Sequence, residues 1–434
     1  MTLSRPRRLA RKDATLNRLT SVGRRVLVPL ESLNFFMADM QAGIGPFLGV
    51  FLLAHHWHSG PIGTVMTFGG VAGMIMTAPF GALVDGTKRK RAYVAIPGAC
   101  AVLASLLVLV SQDFWVIALS QVATAIAGAA IGPAVAGMTL GIVRQKGFPR
   151  QNGRNQAFNH AGNMVGAALS GYLGWRIGFP MVFWLAVAFA ILSIVSVFLI
   201  PSDAIDDDAA RGLKEGGETK ETVSGLRVLL QNRPLLILSA ALACFHLGNG
   251  ALLPLYGLAV VSAHPGNPTI FVAETIAVAQ AVMILASIVA TRMAERQGYW
   301  WILLITFIAL PIRGLLASFL VVDWGVFPVQ ALDGVGAGLQ SVAVPGLVAR
   351  VLNGTGRVNV GQGAVMTVQG LGASLSPMIG GWIAEGLGYR ITFVILGSFA
   401  LISLTIWLVT ATWMRPACGG RSGASGSDAA IPTR

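Results

Sequence analysis

The chain has 434 residues, of which 54% are A, V, I, L, M, F, W, Y or C and only 11% are charged; its mean hydropathy is +0.70. That is too apolar for one water-soluble core, so the composition predicts an all-α protein that crosses a membrane many times. A formal charge of +13 invites a nucleic-acid reading, but the basic residues are spread between apolar stretches rather than gathered on one face, and no nucleic-acid partner is expected.

Residues 1–25 form a basic arm with Arg5, Arg7, Arg8, Arg11, Lys12, Arg18, Arg24 and Arg25, suited to anionic lipid headgroups of the bilayer. Apolar spans are predicted at about 26–54, 60–84, 92–112, 114–143, 155–176 and 179–200. No short apolar core with a small-residue cleavage site follows the arm, so no removed signal peptide is expected. Pro201 then opens a change of composition, with Asp206-Asp207-Asp208, Gly216-Gly217 and interleaved Lys and Glu up to Arg233; 201–233 reads as a solvated linker. Six more spans follow at about 234–262, 269–294, 298–320, 324–349, 359–386 and 390–412, and the tail from 415 to 434 is rich in Gly and Ser. The expected organisation is therefore a six-helix bundle over 26–200, the linker, a second bundle over 234–414 and a flexible tail.

If the spans alternate, nearly all Lys and Arg fall on one side; Arg176 and Arg390 fall on the other and Arg313 inside a span. This positive-inside pattern puts both termini and the linker in the cytoplasm. Cys100, Cys244 and Cys418 are dispersed, so neither a disulfide framework nor a thiolate metal site is expected. His55, His56 and His58 share one loop, but no Cys or carboxylate lies nearby in sequence to complete a metal shell. Nothing matches a phosphate-binding loop or a hydrolytic motif; no enzyme activity, cofactor or metal is expected.

Between the second and third spans lies Gly81-Ala82-Leu83-Val84-Asp85-Gly86-Thr87-Lys88-Arg89-Lys90-Arg91. It resembles the loop motif Gly-x-x-x-Asp-Arg-x-Gly-Arg-Arg of the major facilitator superfamily of secondary transporters, with Gly81, Asp85, Arg89 and Lys90 on its positions. Gly86 and Lys88 depart from the motif's Arg and second Gly. A repeat supports the resemblance: Pro46 and Pro254, Gly81/Asp85 and Thr291/Glu295, Trp115/Gln121 and Trp324/Gln330, and Gly153-Arg154 and Gly356-Arg357 recur at offsets of 203 to 210 residues. In the second copy, Arg296 and Gly298 supply the Arg and Gly missing from the first.

The resemblance implies twelve transmembrane helices in two pseudo-symmetric six-helix bundles. It also implies a central cavity between spans one, four, seven and ten, and a gate made by Gly81, Asp85, Arg89, Lys90, Glu295 and Arg296. Asp85 is expected beside the cytoplasmic start of span eleven. Ser376-Pro377-Met378-Ile379-Gly380-Gly381 looks like the span-five hinge of antiporters, whereas Thr124 stands where antiporters carry an Arg.

Read from the residues themselves, Gln330, Asp333 and Gln340 form one helical stripe, as do Gln121 and Thr124; His246, Asn249 and Tyr256; and Asn34 and Gln41. Such stripes either face a wet cavity or bond across helices. An acid at mid-membrane costs roughly 2.5–3.5 kcal/mol on insertion scales, which singles out Asp39 and Asp333 as candidates for proton coupling. Arg313 is either a partner for Asp333 or a residue that snorkels to the headgroups, and Glu31 and Glu385, near span ends, are expected to be hydrated. The expected function is secondary transport of a small organic solute, as a monomer in a bacterial-type inner membrane, with proton-coupled efflux ahead of import; a transporter-like sensor is the third reading.

Overall fold

The computed structural model describes residues 23–38, 44–210, 225–263, 266–353 and 358–419. It is helical throughout these stretches: α1 (23–38), α2 (Ile44–Ala54), α3 (Ser59–Gly86), α4 (Ala92–Val110), α5 (Phe114–Gly128), α6 (Ile131–Arg176), α7 (Pro180–Leu199), α8 (Asp207–Ala210), α9 (Gly225–Gln231), α10 (Arg233–Asn249), α11 (Leu252–Ala263), α12 (Pro268–Gln297), α13 (Trp300–Phe319), α14 (Val326–Val351), α15 (Val358–Leu387), α16 (Tyr389–Val409) and α17 (Ala411–Cys418).

Among the described residues, nine stretches are long and apolar enough to cross a membrane. The other three crossings have identifiable reasons for a weaker signal. Span one is divided between α1 and α2, span five begins in the polar run from Gln151 to Asn163, and span eleven (α15) is rich in glycine. Spans four and five are joined through α6, in which Arg144 takes φ 55° and ψ 179°. The chain doubles back there, since Asn155 Nδ2 reaches Thr139 Oγ1 at 3.0 Å across the turn.

Within the first half α3 and α4 pack on α5, and α7 on α4 and α6. In the second half α12 and α13 pack on α14, and α10 and α13 on α16. The halves meet through α3 against α15, α6 against α12, and α2 against α11. These contacts are related by the six-span repeat: advancing spans two and eleven by six gives spans eight and five, while spans one and seven exchange. The structure thus has the two-fold relation that the recurring residues predict.

Helix ends explain the loop motif. Lys90, 1% exposed, donates from Nζ to the carbonyls of Val84 (3.1 Å) and Thr87 (2.9 Å) at the end of α3, and Arg91 Nη1 donates to Ile200 O at 2.9 Å beyond α7. Both place a cation where carbonyls at a helix C-terminus are unsatisfied and the helix dipole is negative. At the opposite end Asp113 and Asn267 accept backbone N–H groups of Trp115 and of Thr269 and Ile270, starting α5 and α12.

Three expectations need correction. Glu31 is 4% exposed and accepts from Arg154 Nη2 at 2.9 Å and Gln151 Nε2 at 3.2 Å; burial of its helix face against span five, not hydration, determines its surroundings. The linker begins and ends in helices that dock: α8 lies on α6, with Asp206 paired to Arg144 at 3.0 Å, and α9 buries Val228 and Leu229 on α15. The start of the tail is also helical, because α17 buries Met414 and Cys418 and Arg415 lies over the Trp300 ring at 4.3 Å.

Candidate functional site

The two halves enclose a cavity of about 740 Å³. Its first-half wall comes from Met66, Gly69, Gly70, Gly73 and Met74 of α3, Ser105 of α4, and Gln121 and Thr124 of α5. Its second-half wall comes from Asn249, Leu253, Pro254, Asp333 and Pro377. At the end away from the basic loops it is closed by a seam between α3 and α15, with the start of α16 beside it. There Ser59 Oγ bonds the Tyr389 hydroxyl at 2.7 Å, Gly60 N donates to Glu385 Oε2 at 3.0 Å and Trp382 Nε1 donates to Thr64 Oγ1 at 3.0 Å.

The Ser376-Pro377 motif supplies two more ties across and around this seam. Pro377 interrupts the α15 ladder, and the N–H of Met378 is taken up by Thr67 Oγ1 at 3.0 Å. Ser376 Oγ accepts Ala251 N at 2.8 Å, satisfying the backbone where span seven breaks between α10 and α11. Gly63 packs directly on the Pro377 carbonyl. From this seam the cavity wall runs towards the basic end, as far as Thr77 of α3 and Ile131 at the start of α6.

Behind its floor lies a polar cluster that the sequence only hinted at. Arg313, 1% exposed, donates from Nη1 to Asp333 Oδ1 at 2.6 Å and Asn249 Oδ1 at 2.7 Å, and from Nη2 to Gln330 Oε1 at 3.0 Å. Asn249 Nδ2 also donates to Asp333 Oδ1 at 3.3 Å. One guanidinium thus joins α10, α13 and α14, and of the two readings of Arg313 the partnership with Asp333 is the one realised. A carboxylate in this position is matched by a fixed cation, which offsets the cost of burying either alone.

The stripes are used unevenly. Gln121, Thr124, Asn249 and Asp333 line the cavity. Gln330 and Gln340 are buried on α14, the former on Arg313 and the latter bonded to His246 Nε2 at 3.0 Å, so the outer rungs of that stripe serve helix contacts inside the second half. Tyr256 is absent from the cavity wall: its hydroxyl donates to Leu320 O at 2.6 Å near the closed end. The break after Asn249 ends the regular helix, and with it the alignment of Tyr256 with His246 and Asn249. Asn34 is also elsewhere, buried on α1 with Nδ2 donating to Leu30 O at 2.8 Å.

Asp39 and Gln41 lie outside the described residues, and so does the Asp85 side chain. Arg89, Glu295 and Arg296 are exposed at the basic end, and Gly81 borders open space there. The His55–His58 loop ends α2: His55 Nδ1 bonds Phe51 O at 2.8 Å and His56 takes the left-handed φ of 64°.

Sequence reading missed the glycine and methionine face of α3 and a smaller cavity of about 180 Å³ lined by Pro46, Asn163, Gln280 and Asp333 among others. Gly69-Gly70-x-x-Gly73 was a usable signal, because small residues mark close helix approach. Gln280 was another, as a lone amide in an apolar span.

Two helical bundles around a central cavity sealed at one end are the architecture of a membrane transporter. Comparison with known proteins gives the family. The family model described as Major Facilitator Superfamily matches residues 31–329, and the chain belongs to that superfamily. Two Mycobacterium tuberculosis proteins, MT2531 and Rv2456c, each called an uncharacterized MFS-type transporter, are 38% identical to it over 394 residues, covering 90% of this chain and 94% of theirs. Among solved structures, the nucleoside transporter NupG superposes with a TM-score of 0.71 at 14% identity, over 89% of this chain and 98% of NupG. A point mutant of NupG gives 0.73 at 13% identity, over 88% and 99%. These two likenesses concern the fold.

Proposed function

We propose that this protein carries a small organic solute across a bacterial-type inner membrane by rocking its two halves about the central cavity. The observation that carries the reading is the cavity itself, lined by both halves and shut at one end only. By the positive-inside rule the basic end faces the cytoplasm, so this is the inward-open state, with both termini cytoplasmic. The two halves of the chain supply both walls of the cavity, and the reading takes the protein as a working monomer.

The sidedness is open to direct test. Cysteine at Ser202 should react with an impermeant maleimide only from the cytoplasmic side, and cysteine at Asp113 only from outside. Both positions are exposed, unlike Ser59, which the seam buries. Background from Cys418 should be slight, since burial pushes its thiol up to about 12 despite the opposing charge of Arg350. Reaction of Ser202→Cys from outside would overturn the orientation.

Export driven by proton entry is the proposed direction, with Asp39 as the coupling acid and Asp333 as a group that holds solute. Asp333 already has a fixed cation in Arg313, which suits a binding and bracing role. Import is the second reading, favoured by Thr124, whose hydroxyl donates to Ala101 O at 3.3 Å where antiporters of the family carry an Arg. In proteoliposomes, Asp39→Asn should abolish uphill transport while leaving solute counterflow intact, and Asp333→Asn should weaken both. Uphill transport by Asp39→Asn under an imposed pH difference would remove Asp39 from the coupling step.

A further inference from the structure

The cavity's chemistry narrows the solute class, and this step rests on the transport reading above. Asp333 is the one charged side chain among the described residues that line the cavity. Its charge is balanced from behind: Arg313 is 1% exposed and spends its Nη groups on Asp333, Asn249 and Gln330, so no solute group reaches the guanidinium. All of these protein hydrogen bonds to Asp333 arrive at Oδ1. Oδ2 receives none from the described residues, and the Asp333 side chain is 14% exposed. The Gln121 amide, also on the cavity wall, is likewise without a hydrogen bond from the described residues; most of the remaining wall is glycine, alanine, proline and methionine, and the hydroxyls of Thr77, Ser105 and Thr124 are spent on backbone carbonyls.

We propose that the solute is a neutral, largely apolar molecule of drug-like size whose hydroxyl or amide N–H donates to Asp333 Oδ2. An anion would meet only the carboxylate, with its balancing cation out of reach. A cation would leave a net positive charge beside the buried Arg313, since no second acid lines the cavity among the described residues. A neutral donor fits both constraints, because it satisfies a carboxylate oxygen without changing the charge of the site. The α3 face, with polarizable Met66 and Met74 beside Gly69, Gly70 and Gly73, suits an apolar body. The Gln121 amide then selects for a second polar group at the far end of the molecule.

The test is a thermal-shift screen of the purified full chain. The probes are aromatic alcohols and aryl amides as neutral donors with a largely apolar body, carboxylates and phosphate esters as anions, and primary and quaternary amines as cations. Stabilising compounds should come from the neutral set. Methylating the donor of a neutral hit should weaken its binding to the unaltered protein by about 10- to 100-fold, the value of a hydrogen bond to a charged group. Because the analogue rather than the protein is changed, folding does not enter.

Hits confined to anions or amines, no hit among the neutral donors, or an unchanged affinity for the methylated analogue would each overturn the proposed class. Uptake of a hit of any charge into proteoliposomes would leave the transport reading standing, whereas stabilising hits that are never carried would count against transport itself.

Discussion

Replacing Arg313 with methionine should lower the stability of the folded protein by about 3–5 kcal/mol, the usual cost of removing one partner from a buried ion pair. The guanidinium is 1% exposed and is the common donor to Asp333, Asn249 and Gln330, so its loss strands a carboxylate and two amide oxygens at once. Lysine should not rescue it, because an ammonium is a point donor and cannot present the planar fork that reaches α10 and α14 together. The double change Arg313→Met with Asp333→Leu should recover much of the loss, since replacing both members of a buried pair by apolar groups is often close to neutral. It should still bind no solute through Asp333. Equilibrium unfolding in mixed micelles measures all of these; a loss below about 1 kcal/mol for Arg313→Met would show that the cluster does not brace the second half.

Gly63→Val should trap the transporter away from the inward-open state and cut transport at least tenfold. Gly63 has its Cα against the Pro377 carbonyl, so a branched side chain meets backbone on the facing helix rather than a movable side chain. Overpacking of a close contact costs about 1–3 kcal/mol, and here that cost falls only on the state in which α3 and α15 close the outer end. A change of this size moves a two-state equilibrium by about 5- to 150-fold, enough to reverse the majority state without unfolding the bundles. The expected signature is a fall in cytoplasmic labelling of cysteine at Thr77 in the cavity, with a matching rise in labelling from outside. Gly63→Ala should do the same to a smaller degree. Unchanged labelling and counterflow in Gly63→Val would mean that the seam between α3 and α15 is not a gate.

The sequence by itself determined the class of fold, because the information needed is additive along the chain. Apolar runs of membrane-crossing length, basic residues on alternate turns and paired residues such as Pro46/Pro254 and Gln121/Gln330 can be read without knowing what touches what. It also found the chemically expensive residues Asp333 and Arg313, since a charge within an apolar span has to have a partner. What it could not assign was which rung of each polar stripe opens to the cavity. A helical stripe specifies a face, but a break rotates that face, and Tyr256 leaves the stripe of His246 and Asn249 for this reason. Nor could local spacing show that Glu31 meets Gln151 across 120 residues, or that Lys90 and Arg91 satisfy carbonyls at helix ends. The sealed end and the neutral balance behind Asp333 were decided by tertiary packing alone: both depend on distances between helices, and a one-dimensional pattern carries no term for those.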